Sequence, residues 1–212
     1  NVNDIEAVLK LNGKQIFSVD PETIRASLGK SFPELTDISI KVGLPAFVSV
    51  TAAERAPILA WKQKDQVLWI DAQGYAFAAR GEAAPAVTVE SSDAPPPYPS
   101  LVVKSDEITG KTPTSQPTAT PMKVLYSGAR VKLDVVAAAL TLNPHVPKGS
   151  ILTYSAARGF GWKDSRGWTV YFGHTLDDLE MKLAMYEAIV TQLTAQKIKP
   201  ALISIENLDA PY

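Results

Sequence analysis

The feature that most constrains this chain is a predicted strand, long helix and second strand between Gly167 and Asn207. Apolar residues in the central part recur at spacings of three and four, which places them on one stripe of a helix. This stripe consists of Leu179, Leu183, Tyr186, Val190 and Leu193. The polar residues predicted to lie largely on the other faces are Glu180, Lys182, Glu187 and Gln192. The pattern therefore predicts a long amphipathic helix between two strands.

The ends of this helix carry their own signals. Thr175 is a suitable N-cap, and Asp178 three residues later adds a carboxylate near the unpaired N–H groups of the first turn. Pro200 stops any continuation, because proline lacks the N–H group that a helix needs. The opening strand alternates, so we expect Trp168 and Phe172 to be buried and Tyr171 to face outward.

The last strand is predicted over Ala201 to Asn207, where Ile203 and Ile205 point one way and Leu202, Ser204 and Glu206 the other. A strand so near the end of a sequence is often an edge strand, whose backbone groups can pair with an incoming strand. We therefore predict partner binding at Leu202, Ile203, Ser204, Ile205, Glu206, Asn207 and the outward-facing Tyr171. The alternative is that this segment is only the last strand of a sheet.

The first sixty residues predict two helices followed by two strands. The first helix runs from Asn1 to Leu11, and the second is capped by Asp20, has Pro21 at its first position and ends at Gly29. Its residues Ile24 and Leu28 are predicted to face inward. The strands cover Asp37 to Val42 and Phe47 to Ala52, and Val48, Val50 and Ala52 are predicted to form a face buried by the helices.

Several motifs in this order resemble the extracytoplasmic part of the FtsQ/DivIB family of bacterial cell-division proteins. That part joins a POTRA domain to a second, β domain. The POTRA domain of the family ends with a Leu-Pro turn, an alternating strand and Glu-Arg-x-Pro, matched here by Leu44-Pro45 and by Glu54, Arg55 and Pro57. The following Trp and Asp-x-x-Gly are matched by Trp61 and by Asp71 to Gly74. Val42 replaces the usual basic residue, and the first POTRA strand is missing.

The resemblance implies an α+β chain with a POTRA-like domain over residues 1–60 and a β domain over residues 61–212. It also implies a non-catalytic scaffold of the division complex, held in the bacterial cell membrane by one span that precedes Asn1, with this part on the extracytoplasmic side at the septum. Its partners would be small single-pass proteins of the FtsB/FtsL type, bound at the C-terminal strand. Glu54, Arg55 and Pro57 are expected to join the two domains.

The second domain predicts a hairpin, a loop and a short helix. The hairpin pairs Gln66 to Ile70 with Tyr75 to Ala79. Eight prolines between Ala84 and Pro121 favour a mobile or extended loop. We therefore predict a flexible insertion over residues 82–121. A helix over Val135 to Leu142, with Asp134 as a possible cap, precedes a strand over Ile151 to Ser155. The residues from Arg158 to Gly167 are predicted to be a tight connection.

The composition excludes several classes of function. The chain has 212 residues and a net charge of −1, so no long-range positive field gathers nucleic acid, and we expect no nucleic-acid binding. The absence of cysteine excludes disulfides, thiolate metal sites and cysteine nucleophiles. The sequence contains no run of about 18 apolar residues, so no segment of it is predicted to span a membrane.

Few residues are candidates for catalysis or metal binding. His174 with Asp177 or Asp178 can be drawn as a metal site, but the two aspartates also suit a helix start. Ser155 or Ser165 can be paired with His174 as in a hydrolase, although neither serine lies in a nucleophile-elbow pattern. We therefore expect no enzyme and no cofactor. A chaperone of outer-membrane protein assembly remains an alternative, although such chains usually carry several POTRA modules and only one is recognisable here.

Overall fold

The computed structural model describes residues 5, 8, 9, 20–43, 45, 47–80, 82–98 and 129–209. The fold is α+β, as the sequence predicts. Of the helix predicted over Asn1 to Leu11, only Ile5, Val8 and Leu9 are described, and all three are helical. The rest of that helix and the proline-rich run from residue 99 to residue 128 lie outside the described residues.

Helix α1 (Pro21–Ser31) starts as the sequence predicts. The carboxylate of Asp20 accepts hydrogen bonds from the backbone N–H groups of Glu22 and Thr23, each at 3.2 Å, and Pro21 occupies the first turn. Ile24 and Leu28 are buried, which confirms the predicted inward face. The predicted end at Gly29 is wrong, because a glycine inside a helix is tolerated and the chain leaves the helix only before Pro33.

Strands β1 (Leu35–Gly43) and β2 (Phe47–Glu54) pair antiparallel in a two-stranded sheet, which we call the hairpin unit together with α1. Both predicted strands are confirmed. The predicted burial of one face is wrong in part, since Val48 and Val50 are only half-buried and Ala52 is exposed. Helix α1 packs against β1.

The remaining strands form one mixed sheet of eight. They are β3 (Pro57–Gln63), β4 (Gln66–Asp71), β5 (Ala76–Ala78), β6 (Val87–Ser91), β7 (Ile151–Ser155), β8 (Gly159–Lys163), β9 (Thr169–Gly173) and β10 (Leu202–Ser204). Their spatial order is β10-β9-β8-β7-β6-β3-β4-β5. The predicted β4–β5 hairpin and the predicted strand β7 are confirmed. The predicted domain boundary between residues 60 and 61 falls inside β3.

Strand β6 corrects the interpretation of the proline-rich stretch. Val87 to Ser91 lies in the middle of the sheet, parallel to both β3 and β7, and Val87 and Val89 are buried. The prediction of a flexible, loop-like insertion is therefore wrong for these residues. The five-residue run alternates apolar and polar side chains, and it gains its backbone partners only from strands far away in sequence.

Strand β8 corrects the predicted tight connection after Arg158. Gly159 to Lys163 pairs with β7 on one side and β9 on the other, so only residues Asp164 to Gly167 form a turn. Glycine is required here because a Cβ on Gly161 would lie 1.8 Å from the carbonyl oxygen of Val170. The glycines that suggest a turn instead allow two strands to approach closely.

Helices α2 (Leu133–Leu142) and α3 (Leu179–Ala195) enclose the core of the sheet, and a 3₁₀ turn (Asn143–His145) follows α2. The core contains the large buried side chains Trp61, Phe160, Trp162 and Phe172. The predicted stripe of α3 is confirmed: Tyr186 is buried in this core, and the other four members pack against it. Trp168 is also buried, as predicted.

The predicted helix caps in this domain are wrong. Helix α3 begins after Asp178, which takes a left-handed conformation with φ of 55° and makes no side-chain capping bond, so Thr175 lies outside the helix. Helix α2 begins after Lys132, two residues earlier than a cap at Asp134 predicts, so Asp134 lies inside its first turn.

Candidate functional site

The C-terminal strand β10 lies at one end of the eight-stranded sheet and pairs only with β9 among the described strands. The pairing is parallel and places Ser204 beside Tyr171. The strand is shorter than predicted, since it covers Leu202 to Ser204 rather than Ala201 to Asn207. One hydrogen bond beyond each end of the strand continues its pairing with β9. The N–H of Thr169 donates to Ala201, and the N–H of Ile205 donates to Tyr171.

These two hydrogen bonds identify the backbone groups that face outward. The carbonyl of Ala201 accepts from the N–H of Thr169 at 3.1 Å, and the N–H of Ile205 donates to the carbonyl of Tyr171 at 2.8 Å. In a parallel ladder alternate residues direct their backbone groups to the same neighbour. Ala201, Ile203 and Ile205 therefore face β9, whereas the N–H and C=O groups of Leu202 and Ser204 face away from it.

The side chains of the predicted partner-binding set differ strongly in exposure. Ile203 and Ile205 are buried in the core, and Ser204 is only 2% exposed. Leu202 and Glu206 are half-buried, and Asn207 is exposed. Ser204 is therefore covered as a whole residue, and the accessible members of the predicted set are Leu202, Glu206 and Asn207.

A polar cluster covers Ser204 on the sheet face that carries Tyr171. The hydroxyl of Ser204 donates to Glu206 Oε1 at 2.9 Å, and Arg158 Nη1 lies 3.3 Å from the same oxygen. The guanidinium carbon of Arg158 lies 5.8 Å from the centre of the Tyr171 ring. Burial raises the pKa of Tyr171, and the positive charge of Arg158 opposes this rise. The cluster holds the residues beside the edge in one arrangement.

Lys182 lies on α3 and contacts the sheet next to its edge. The sequence pattern instead predicts that it lies away from the apolar stripe of the helix. That prediction is wrong: the residue is 5% exposed, and its Nζ donates to the carbonyl of Phe172 at 2.7 Å. A second carbonyl, that of Thr175, lies 3.4 Å away. The ammonium group thus anchors α3 to the end of β9, directly beside β10. The apolar stripe gave no signal for it, because its partners are backbone carbonyls.

The three residues predicted at the domain junction have different surroundings. Arg55 Nη1 lies 2.6 Å from Asp71 Oδ2 in a largely buried ion pair, and its Nε donates to the carbonyl of Pro33 at 3.0 Å. Its guanidinium also lies 4.1 Å from the centre of the Tyr75 ring. Arg55 therefore contacts both the hairpin unit and the large sheet. Glu54 is exposed at the end of β2, and Pro57 starts β3.

The residues weighed for catalysis or metal binding are held by structural contacts. His174 Nε2 lies 3.0 Å from the carbonyl oxygen of Ala156, which can only accept, so this nitrogen is the donor. Ser155 Oγ accepts from the N–H of Ala157, and no hydrogen bond among the described residues joins it or Ser165 to His174. The described part of the chain contains no group of three or more His, Asp or Glu placed to hold a metal ion.

A buried cluster around Tyr186 gave no signal in the sequence beyond the apolar stripe. The hydroxyl of Tyr186 donates to Asp164 Oδ2 at 2.5 Å and accepts from Arg166 Nη2 at 3.1 Å. Two indole N–H groups, from Trp162 and Trp168, also point to this hydroxyl at 3.3 and 3.4 Å. Hydrogen bonds from the Arg166 side chain, the Tyr186 hydroxyl and the Arg166 N–H lower the pKa of Asp164 to about 2, although burial opposes them.

Comparisons with known proteins add no family to this geometry. A scan against family models and a search of curated protein sequences found no match for the chain. In the described part of the chain, no helix has both the length and the apolar character required to cross a bilayer. Function is therefore inferred from the motifs of the sequence and from the geometry of the site.

Proposed function

We propose that this chain is a non-catalytic scaffold of the bacterial division complex that binds small single-pass partners of the FtsB/FtsL type by strand addition at β10. In this account the chain acts on the extracytoplasmic side of the membrane at the septum. The motifs of the FtsQ/DivIB family in residues 44–74 give the proposal its context. The position of β10 as the last strand of the sheet suggests a mechanism.

The observation that carries the proposal is the outward direction of the backbone groups of Leu202 and Ser204, at a sheet edge without a neighbour among the described strands. Such groups form a template for an incoming strand, whose main-chain hydrogen bonds supply much of the affinity. The edge is also preorganised. Because Ile203 and Ile205 are buried and Lys182 holds α3 in place, little ordering is needed on binding.

The hairpin unit is compatible with the same proposal. The order of α1, β1 and β2 is the one that the resemblance implies for a POTRA-like domain, and Arg55 of the Glu-Arg-x-Pro motif contacts Asp71 of the Asp-x-x-Gly motif. The two motifs that carry the family resemblance therefore meet in one ion pair. We infer that this pair sets the position of the POTRA-like domain relative to the sheet that binds the partner.

The proposal is tested with Ser204→Pro and the extracytoplasmic segment of an FtsB-type partner. Proline removes the outward N–H of Ser204 without removing a hydrogen bond to β9, so the pairing with β9 should remain and partner binding should be lost. We expect affinity to fall by about tenfold or more, the effect of one lost backbone bond and of the ring that obstructs the edge. Isothermal titration calorimetry measures the affinity, and thermal unfolding measures the fold.

Two further variants make the result specific. Ser204→Ala removes the hydroxyl that bonds to Glu206 but keeps the N–H, so it should bind the partner nearly as well as the wild type. Ile205→Pro removes the donor to Tyr171 and should destabilise the protein itself. Unchanged binding by a folded Ser204→Pro protein would contradict strand addition at this edge.

A further inference from the structure

A second candidate binding site lies on the helical side of the sheet, on the flank of α3 that bears Leu183, Glu187 and Val190. It is an open hollow of about 430 Å³ with Trp162 and Tyr186 at its base. Leu183, Val190 and Pro147 supply apolar walls, while the polar groups of His145, Arg166, Glu187 and Thr191 stand around them. A preformed hollow with an apolar body and a few polar groups is a common form of binding site.

The base of the hollow is rigid. The rings of Trp162 and Tyr186 meet edge to face with centres 5.2 Å apart, and both residues are buried. The Tyr186 hydroxyl is engaged by Asp164, Arg166 and two indole N–H groups, so it cannot turn toward a ligand without losing these bonds. The base of the hollow therefore provides a fixed apolar surface but no free hydrogen-bonding group. Selectivity among ligands must come from the polar residues at the rim.

The charges at the rim do not cancel. Arg166 is neutralised by Asp164, with two nitrogen-to-oxygen contacts of 2.7 Å, and Asp164 stays ionised because its pKa is about 2. None of the ion pairs within the described residues involves Glu187, whose exposed carboxylate lines the hollow. The hollow thus presents one unbalanced negative charge above an apolar and aromatic surface.

We propose that this hollow binds an arginine side chain of a partner protein, with the guanidinium at Glu187 and the aliphatic stem against Leu183 and Val190. Arginine combines the three properties that the hollow requires: a long apolar stem, a planar cation that packs on aromatic and apolar surface, and a fork of donors that matches a carboxylate. Arginine is also enriched among the residues that dominate protein interfaces. The site is on a different surface from the β10 edge and does not depend on strand addition.

The test uses the intact chain and two matched probes, Nα-acetyl-arginine amide and Nα-acetyl-citrulline amide, which differ in charge but hardly in shape. Binding is followed by the NMR signal of the Trp162 indole N–H, which lies at the base of the hollow. We expect the arginine probe to shift this signal saturably, with a dissociation constant in the millimolar range that is typical of a ligand of this size. The citrulline probe should bind several-fold more weakly.

Two variants on the same helix assign the charge. Glu187→Gln should weaken binding of the arginine probe about threefold to fivefold, the range of a partly exposed ion pair. Glu180→Gln removes an exposed carboxylate from the first turn of α3, away from the hollow, and should leave binding unchanged. Equal binding of both probes, no saturable shift up to the solubility limit, or an unaltered affinity of Glu187→Gln would each overturn the proposal. Preferential binding of Nα-acetyl-glutamate amide would also overturn it, because Arg166 would then be the ligand-binding group.

Discussion

The hairpin unit and the eight-stranded sheet differ in how they are held together. Among the described residues of the hairpin unit, Ile24 and Leu28 are the only buried apolar side chains. The sheet has a large core of aromatic and branched residues that extends to Ile203 and Ile205 at its edge, and a second, small cluster of Ala60, Trp69 and Phe77. An edge strand is a reliable binding surface only if its own position is fixed, and this core fixes β10. The hairpin unit, by contrast, depends on a small core and on Arg55.

The largest expected effect comes from Leu28→Ala, which attacks the weaker region. The side chain is fully buried, so its loss should destabilise the hairpin unit by about 2 to 4 kcal/mol. All four tryptophans, Trp61, Trp69, Trp162 and Trp168, lie outside this unit, so indole fluorescence reports on the sheet alone. We expect faster hydrogen exchange in β1 and β2 and an unchanged fluorescence transition.

Ile24→Val is the matched control for this variant, because it removes only one methylene and should cost about 1 kcal/mol in the same unit. The comparison of the two regions would be wrong if Leu28→Ala lowered the fluorescence transition as much as it accelerated exchange in β1 and β2. The two regions would then unfold as one cooperative body.

The second prediction concerns the acid stability of the sheet. The pKa of Asp164 is lowered from 3.8 in the unfolded chain to about 2 in the folded one, first by the hydrogen bond from the Arg166 side chain. A lowered carboxyl pKa stabilises the folded state above the unfolded value, and the stabilisation is lost as pH falls through the folded value. About 2 kcal/mol should therefore disappear between about pH 4 and pH 2.

This loss is measured by urea unfolding of the wild type and of Asp164→Asn across that range. The variant lacks the titrating group, so its free energy of unfolding should fall less steeply with acid than that of the wild type. Other carboxyls with lowered pKa, such as Asp20 and Glu90, contribute equally to both proteins and cancel in the difference. Parallel profiles would show that Asp164 does not hold α3 to the sheet through its charge.

The smallest expected effect is that of Arg55→Lys at the junction of the two regions. Lysine keeps the charge opposite Asp71 but loses the hydrogen bond to Pro33 and the planar contact with Tyr75. We expect a loss of about 1 kcal/mol in the free energy of unfolding of the hairpin unit. Arg80→Lys is the control, because Arg80 and Glu34 form an exposed pair and should contribute little. Equal losses of unfolding free energy in the two variants would contradict a special role of Arg55 at the junction.

Local signals predicted the parts of the fold that depend on local structure. The cap at Asp20, the buried pair Ile24 and Leu28 and the stripe of α3 all follow from neighbouring residues in sequence, and all three agree with the structure. Strands β6 and β8 were missed because their partners are distant: prolines surround β6, and the glycines of β8 resemble a turn. Only the close approach of Val170 explains why Gly161 is a glycine within a strand.

The site was predicted only in outline. The position near the end of the sequence predicted β10 as an edge strand, but no local signal gave the burial of Ser204, which lies beside Glu206 and Arg158. The buried ammonium of Lys182 and the bonds around Tyr186 were missed for the same physical reason. Their partners are contributed by elements that come together only after folding, and no spacing within a helix encodes them.

Hydrogen exchange at single residues of β10 tests the central claim most directly. In the free protein the amides of Ile203 and Ile205 should exchange slowly, because they bond to β9, while those of Leu202 and Ser204, which face away from β9, should exchange faster. With a saturating FtsB-type segment, the amides of Leu202 and Ser204 should become protected, and those of Ile203 and Ile205 should change little. A complex that forms without new protection at Leu202 and Ser204 would contradict strand addition at this edge.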